Sequence, residues 1–312
     1  MISAWWLLVL VPLIGTIGWI IGQRGSERRG GARISKLSAT YFRGLNYLLN
    51  EQQDKAIEVF LQIAERDKET LETQFTLGTL FRRRGEVDRA IRLHQSVISR
   101  PGLSDDQKTR AILALGEDYM RAGLLDRAET LFADLVKLGS AAPQALRHLM
   151  SIYQAERDWQ QAIDHARRYE QATHEPMGKL IAQFECELAE KARLKGDGAL
   201  ARQHLERAHA ADANSVRAAL LEGQIELAEG NDAAAIRTYE RAARQDIEFL
   251  PEVLPPLLAA YDRGDDPARA RSFLLEMVER YRGVSPALAL ARRLETEEGA
   301  GVALEFLRKH LR

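Results

Sequence analysis

Only one of the 312 residues is a cysteine, Cys186. No disulfide can form within the chain, and no cage of thiolates can hold a metal. Its place between Phe184 and Ala189 in a helical pattern reads as a small apolar core position. Proline is scarce as well, at 9 residues, and apolar–polar alternation of period two is sustained nowhere, so strands are not expected. Charge of one sign is also lacking, since 44 Lys and Arg against 45 Asp and Glu leave a formal net charge of −1. That balance gives none of the basic field that nucleic-acid binding usually shows. Most acidic residues alternate with Lys and Arg on faces that read as solvated, so neighbouring carboxylates are no sign of acid–base catalysis.

Catalytic and metal-binding signatures are missing too. The 7 histidines (His94, His148, His165, His174, His204, His209 and His310) form no H-x-x-x-H pair and no H-E-x-x-H motif. His204 and His209 are five apart, which puts them off one helical face. Neither a nucleophile elbow, a phosphate loop nor a Gly-rich dinucleotide turn occurs. The expectation is a chain that is not an enzyme and carries no cofactor; a hydrolase with an unrecognised site is the weakest alternative.

What is present is repetition. Residues 77–95, LGTLFRRRGEVDRAIRLHQ, hold two helical patterns joined by a polar turn. Leu77, Leu80 and Phe81 share a face of the first; Val87, Ala90, Ile91 and His94 recur at i, i+3, i+4, i+7 in the second. Gly78 and Ala90 are small where two antiparallel helices would cross, and His94 reads as a core substitute at a usually aromatic position. The same offsets appear in Gly44/Tyr47/Ala56/Phe60, Gly116/Tyr119/Ala128/Phe132 and Met150/Tyr153/Ala162/Ala166. Weaker copies follow at Ala189/Ala201/Leu205, Gly223/Ala235/Tyr239, Leu258/Tyr261/Ala270/Leu274 and Ala291/Ala303/Leu307. First positions step by 34, 38, 34, 39, 34, 35 and 33 residues. This pattern resembles the tetratricopeptide repeat, a helical hairpin that buries its apolar face by stacking on its neighbours. The fold expected over 37–312 is therefore an all-α superhelical solenoid of about seven or eight helix pairs. Pro101 and Pro176 fall in the two longer steps, and the proline-rich segment 245–256 is expected to loosen the array before its last two repeats.

The beginning of the chain is different. Residues 1–23 contain no charged side chain, and Ile2–Ile21 is long enough to cross a hydrocarbon layer of about 30 Å at about 1.5 Å per residue. Trp5, Trp6 and Trp19 lie towards its ends, where indoles favour the headgroup region. Residues 1–22 are thus expected to form an uncleaved transmembrane anchor, because no Lys or Arg precedes the run as a signal peptide would require. Residues 23–36 read as a flexible linker whose Arg24, Arg28, Arg29 and Arg33 fix everything downstream on the cytoplasmic side of a single-pass inner-membrane protein. These arginines are also placed to touch anionic lipid.

Binding is the default use of such an array, through the exposed stripe of each repeat's first helix. In the first repeat that stripe includes Tyr41, Leu45, Leu48 and Leu49. The second contributes Glu72, Phe75, Thr79, Arg82 and Arg83; the third contributes Leu113, Glu117, Met120 and Arg121. Apolar positions beside Arg82 and Arg83 suggest a partner of mixed apolar and acidic character, unless neighbouring helices bury them. On this reading Arg82→Glu leaves folding nearly intact and alters binding.

Beyond the generic repeat, the chain resembles the lipopolysaccharide assembly protein B family. Gly44–Ala56 (GLNYLLNEQQDKA), residues 77–95, Leu115–Ala128 (LGEDYMRAGLLDRA) and the anchor with its trailing arginines carry the likeness, which is strongest over 37–166. The resemblance implies a membrane-anchored adaptor without catalysis. It would promote degradation of the lipid A deacetylase by a membrane AAA+ metalloprotease, opposed by an inner-membrane protein that senses lipopolysaccharide, and would serve as a scaffold for synthesis and transport enzymes. A homodimer is compatible with the array. Family members typically end in a rubredoxin-like module with two C-x-x-C pairs. This sequence stops at Arg312 with Cys186 alone, so no such metal site can be assigned; either the sequence is cut short or this homologue lacks the module. A repeat-based assembly chaperone for another envelope complex, in cytochrome or pilus maturation, is the alternative.

Overall fold

The computed structural model describes residues 39–66 and 71–310. The expected anchor over 1–22 and linker over 23–36, with Arg24, Arg28, Arg29 and Arg33, lie outside the described residues. Among the described residues there is no strand, and no helix is long and apolar enough to cross a membrane.

The chain divides into two compact units, Met1–Ala141 and Ala142–Arg312. The first holds α1 (39–49), α2 (Gln53–Arg66), α3 (Leu71–Arg84), α4 (Val87–Ile98), α5 (Asp105–Arg121) and α6 (Leu125–Lys137). The second holds α7 (Ala142–Glu156), α8 (Trp159–Thr173), α9 (Gly178–Leu194), α10 (Gly198–Ala211), α11 (Val216–Ala228) and α12 (Asp232–Gln245). It continues through a short 3-10 turn (Ile247–Phe249) to α13 (Leu250–Arg263), α14 (Pro267–Arg280), α15 (Ser285–Glu298) and α16 (Ala300–His310). Consecutive helices pair as hairpins, three described in the first unit and five in the second. First helices also meet first helices, α3 on α5 in one unit and α9 on α11, α11 on α13 and α13 on α15 in the other.

Two features of the sequence make each hairpin. The turn needs one residue with positive φ, and it recurs with the repeat: Glu51, Gly85, Gly123, Arg157, Gly196, Gly230, Asp265 and Gly299. Four of the five glycines here lie in αL-like backbone at the end of a first helix, where a β-carbon is costly. The crossing needs a small residue opposite a large one, 16 positions apart. A β-carbon on Gly78 would collide with the His94 ring, and one on Gly44, Gly116 or Gly223 would likewise press within 3 Å of Phe60, Phe132 or Tyr239. In the fourth repeat the sizes are exchanged, with Met150 and Ala166 both buried. The volume at the crossing is kept while the side that supplies it changes.

Caps complete the hairpins. Ser104 and Gln107 form a capping box that starts α5, and Asp158, Asp197 and Asp266 each accept a backbone N–H in the first turn of α8, α10 and α14. The segment around 245–256 departs from expectation, because α13 runs through Pro255 and Pro256 without a break. Leu250, Val253 and Leu257 on its inner face are fully buried, and that apolar packing outweighs the two backbone hydrogen bonds the prolines remove. The prolines do not interrupt the packing of α13 on its core.

Candidate protein-binding groove

The first helices α1, α3 and α5 of the first unit enclose a cavity of about 370 Å³. Its wall is Leu48 from α1, then Phe75, Thr76, Thr79, Leu80, Arg82 and Arg83 from α3, and Arg110, Leu113, Ala114 and Glu117 from α5. Hairpin stacking sets these side chains side by side, because residues three and four apart share one helical face.

Arg82 makes the most hydrogen bonds of the three arginines. Its Nη1 donates to Asp118 Oδ1 at 2.7 Å and to the Ala114 carbonyl at 3.2 Å, and its Nη2 donates to Glu117 Oε2 at 2.5 Å. Asp118 is fully buried, and its other oxygen accepts from His94 Nδ1 at 2.5 Å. A buried carboxylate already paired with a guanidinium can only accept, so His94 carries its proton on Nδ1. The opposite ring nitrogen, Nε2, has no partner and lies against Gly78. Phe75 stacks on the His94 ring, with centroids 6.1 Å apart, and is covered from the cavity side by the Arg110 guanidinium 4.4 Å above its centre. Arg110 in turn donates to Glu72 at 2.6 Å. The hydroxyls of Thr76 and Thr79 are turned back to the carbonyls of Glu72 and Phe75. Arg83 is exposed and has no partner among the described residues.

Seven of the stripe residues singled out from sequence meet here: Leu48, Phe75, Thr79, Arg82, Arg83, Leu113 and Glu117. Phe75 is only 5% exposed, so it serves as floor and not as an open contact. Tyr41 and Leu45 pack half-buried on the core of the first unit instead, Tyr41 edge-on to Phe60 at 5.5 Å. Leu49 points to solvent at 83% exposure. Glu72 lies outside the wall, bonded to Arg110, while Met120 is half-buried and Arg121 exposed, neither of them on the wall. Sequence reasoning missed Arg110 and Asp118. Arg110 falls seven residues before Glu117, two turns up the same stripe, and could have been found by extending it. The Asp118 role had no local signal, since its partners are 24 and 36 residues away.

The second unit is tied together by a comparable buried acid. Glu240 on α12 accepts from the Tyr261 hydroxyl at 2.5 Å, from Arg269 Nε at 2.8 Å and from Arg244 at 3.2 Å. Burial alone would raise its carboxyl pKa, but the hydrogen bonds from Arg269 and Tyr261 outweigh that and hold it below its ordinary value. Burial and the Glu240 contact push the Tyr261 phenol up, so it stays a donor. Glu276, bonded to Arg244, and Glu222, which faces His209 at 3.4 Å and accepts from Arg241, are lowered as well. A carboxyl whose pKa falls on folding adds stability above its unfolded value, about 4.3 for Glu, and loses it as pH drops through the lower folded value. The second unit should therefore lose protection as the pH falls below about 4.3, seen as smaller amide protection factors in α12–α14 once the slower intrinsic exchange in acid is divided out. Glu240→Gln should start less protected and respond less steeply to acid.

Stacked helical hairpins with a cavity on their first helices define a tetratricopeptide-repeat protein. A tetratricopeptide repeat profile matches residues 76–105, most of α3, all of α4 and the following loop. Across nearly its whole length the chain is similar to curated proteins. It is 38% identical over 305 residues to lipopolysaccharide assembly protein B of Escherichia coli strain K12, covering 98% of this chain and 78% of that protein. Against lipopolysaccharide assembly protein B of Haemophilus influenzae strain Rd it is 31% identical over 314 residues, covering 98% and 79%. The chain belongs to the lipopolysaccharide assembly protein B family. Among solved structures it is similar to the C-terminal part of a repeat-containing protein of Cytophaga hutchinsonii, at 14% identity over 86% of this chain and 99% of that one, with a TM-score of 0.46.

Proposed function

We propose that the chain is a non-catalytic adaptor in lipopolysaccharide assembly, held at the inner membrane by residues 1–22 with its repeats in the cytoplasm. It lowers lipopolysaccharide synthesis by presenting the lipid A deacetylase to a membrane AAA+ metalloprotease. An inner-membrane protein that senses lipopolysaccharide opposes it through the membrane-spanning segment. The observation that carries this reading is the groove of the first unit, a partly apolar recess lined by Arg82, Arg83 and Arg110, on a chain whose relatives are named for lipopolysaccharide assembly. Depleting the protein should lengthen the half-life of the deacetylase and raise its level; an unchanged half-life in depleted cells overturns the proposal. Alkaline phosphatase fused after residue 36 should be inactive, because the repeats stay on the cytoplasmic side. An active fusion would favour an export-side assembly chaperone.

A further inference from the structure

We infer that the exposed edge of α1 rests on an anionic lipid surface, with Phe42 and Leu49 entering the headgroup layer and Arg43, Asn46 and Asn50 meeting the headgroups. The inference rests on the membrane-anchored reading and adds to it a second point of contact, made by the first hairpin and not by residues 1–22.

The edge itself is the first support. Tyr41, Leu45, Tyr47 and Leu48 pack on the core of the first unit, whereas Phe42 is 66% exposed and Leu49 83% exposed. Being seven residues apart, these two lie within about 20° of each other around the helix. Arg43, Asn46 and Asn50 are exposed on the flank beside them, and α1 has no acidic residue. Two exposed apolar side chains alone would be ordinary surface. Charge is what singles these out. Between residues 23 and 50 the sequence has six cations (Arg24, Arg28, Arg29, Arg33, Lys36 and Arg43) and one anion, Glu27, a net +5. The whole chain is −1 and residues 1–22 are uncharged, so residues 51–312 carry −6 (−1 minus +5). Counting Glu51 and Asp54, at the turn after α1, still leaves +3, and Asp54 is already paired with Arg84 at 2.8 Å. Basic charge beside a membrane is drawn to anionic lipid over about a Debye length. Chain length then limits where α1 can go. Residues 23–38 reach at most about 55 Å even fully extended, so for an anchored chain the contact is intramolecular and a small apolar edge is enough to make it. A second copy docking through the same edge would instead set cation against cation.

The test is nitroxide quenching on the full chain reconstituted into vesicles. A polarity-sensitive dye is attached at Phe42→Cys, at Leu49→Cys and, as a control on the exposed face of the other helix of the hairpin, at Glu58→Cys. Cys186 is buried, and the unsubstituted chain carried through the labelling corrects for any background. The vesicles are phosphatidylcholine with phosphatidylglycerol and a lipid bearing a nitroxide near its headgroup. In them the two α1 labels should lose about half of their emission or more, and the Glu58→Cys label about a tenth or less. Leaving out phosphatidylglycerol, or raising salt, should reduce the loss at α1 by about twofold or more. Equal quenching at all three positions, none at Phe42→Cys and Leu49→Cys, or a loss indifferent to phosphatidylglycerol overturns the inference. An unquenched label whose emission shifts to the blue as protein concentration rises would put a second copy on the edge, and overturns it too. Flotation of the same vesicles in high salt reports the anchor separately. A chain that floats without quenching at α1 overturns this inference alone, and a chain that does not float overturns the anchored reading on which it rests.

Discussion

Arg82→Glu should destabilise the first unit by about 3–5 kcal/mol, the cost of leaving a buried charge without its partner. Asp118 is fully buried, and Arg82 is the cation that balances it, at 2.7 Å, with its own side chain only 17% exposed. The substitution removes that cation and sets a third carboxylate beside Asp118 and Glu117. His94 remains as a partner on the far oxygen, but its ring is sealed against Gly78 and has no room to reorient. The neighbouring Arg83→Glu makes the same charge change at an exposed, unpartnered position and should move stability by no more than about 0.5 kcal/mol. Repeat arrays do not melt as one cooperative block, so the comparison is best read by hydrogen exchange in α3–α5. Equal protection in the two variants would mean that Asp118 does not depend on Arg82.

Ala90→Glu is expected to be the most damaging single change, at about 4 kcal/mol or more. Ala90 has no exposed surface and belongs to the cluster of Ile57, Phe60, Leu77, Leu80 and Phe81 where α4 crosses its neighbours. A carboxylate there has no cation within the cluster and no path to water, so it must either take up a proton or force the α3–α4 hairpin open. Opening unwinds the backbone around Arg82–Arg84 and Arg89 so that trypsin can seat it, and trypsin should cut the variant under conditions that leave the parent intact. Ala90→Ser, which adds one hydroxyl, should show a smaller effect in the same direction. A variant with the parent's thermal midpoint and the parent's digestion pattern would mean that the repeats are out of register.

Much of the fold could be read from residues because a repeat forces the same local problem on each hairpin. Gly78 and His94, or Gly116 and Phe132, are separated by a fixed 16 positions, and the large partner can be inferred once the small one is seen. The wall of the groove was partly legible for the same reason, since Thr79, Arg82 and Arg83 lie on the stripe that the helical period defines. What could not be read was commitment. Arg82 was expected to be a free contact whose reversal spares folding, and it is instead bound to a buried aspartate one repeat further on. Sequence spacing says which residues share a face, but says nothing about which of two adjacent acids, Glu117 or Asp118, turns inward. The proline-rich stretch misled in the opposite sense. Backbone preference argued for a break, and the inner face of α13 is apolar enough to prevail.

The exchange of sizes at the hairpin crossings limits how such a protein can be rearranged. Grafting α5 onto α8 would put Gly116 opposite Ala166 and leave a void, and the reciprocal graft would crowd Met150 against Phe132. Transplanting complete hairpins keeps each glycine or methionine with the side chain that fits it. Duplication or loss along the gene is thus tolerable in whole hairpins, and the recess of the first unit, which draws on three of them, would not survive removal of the middle one.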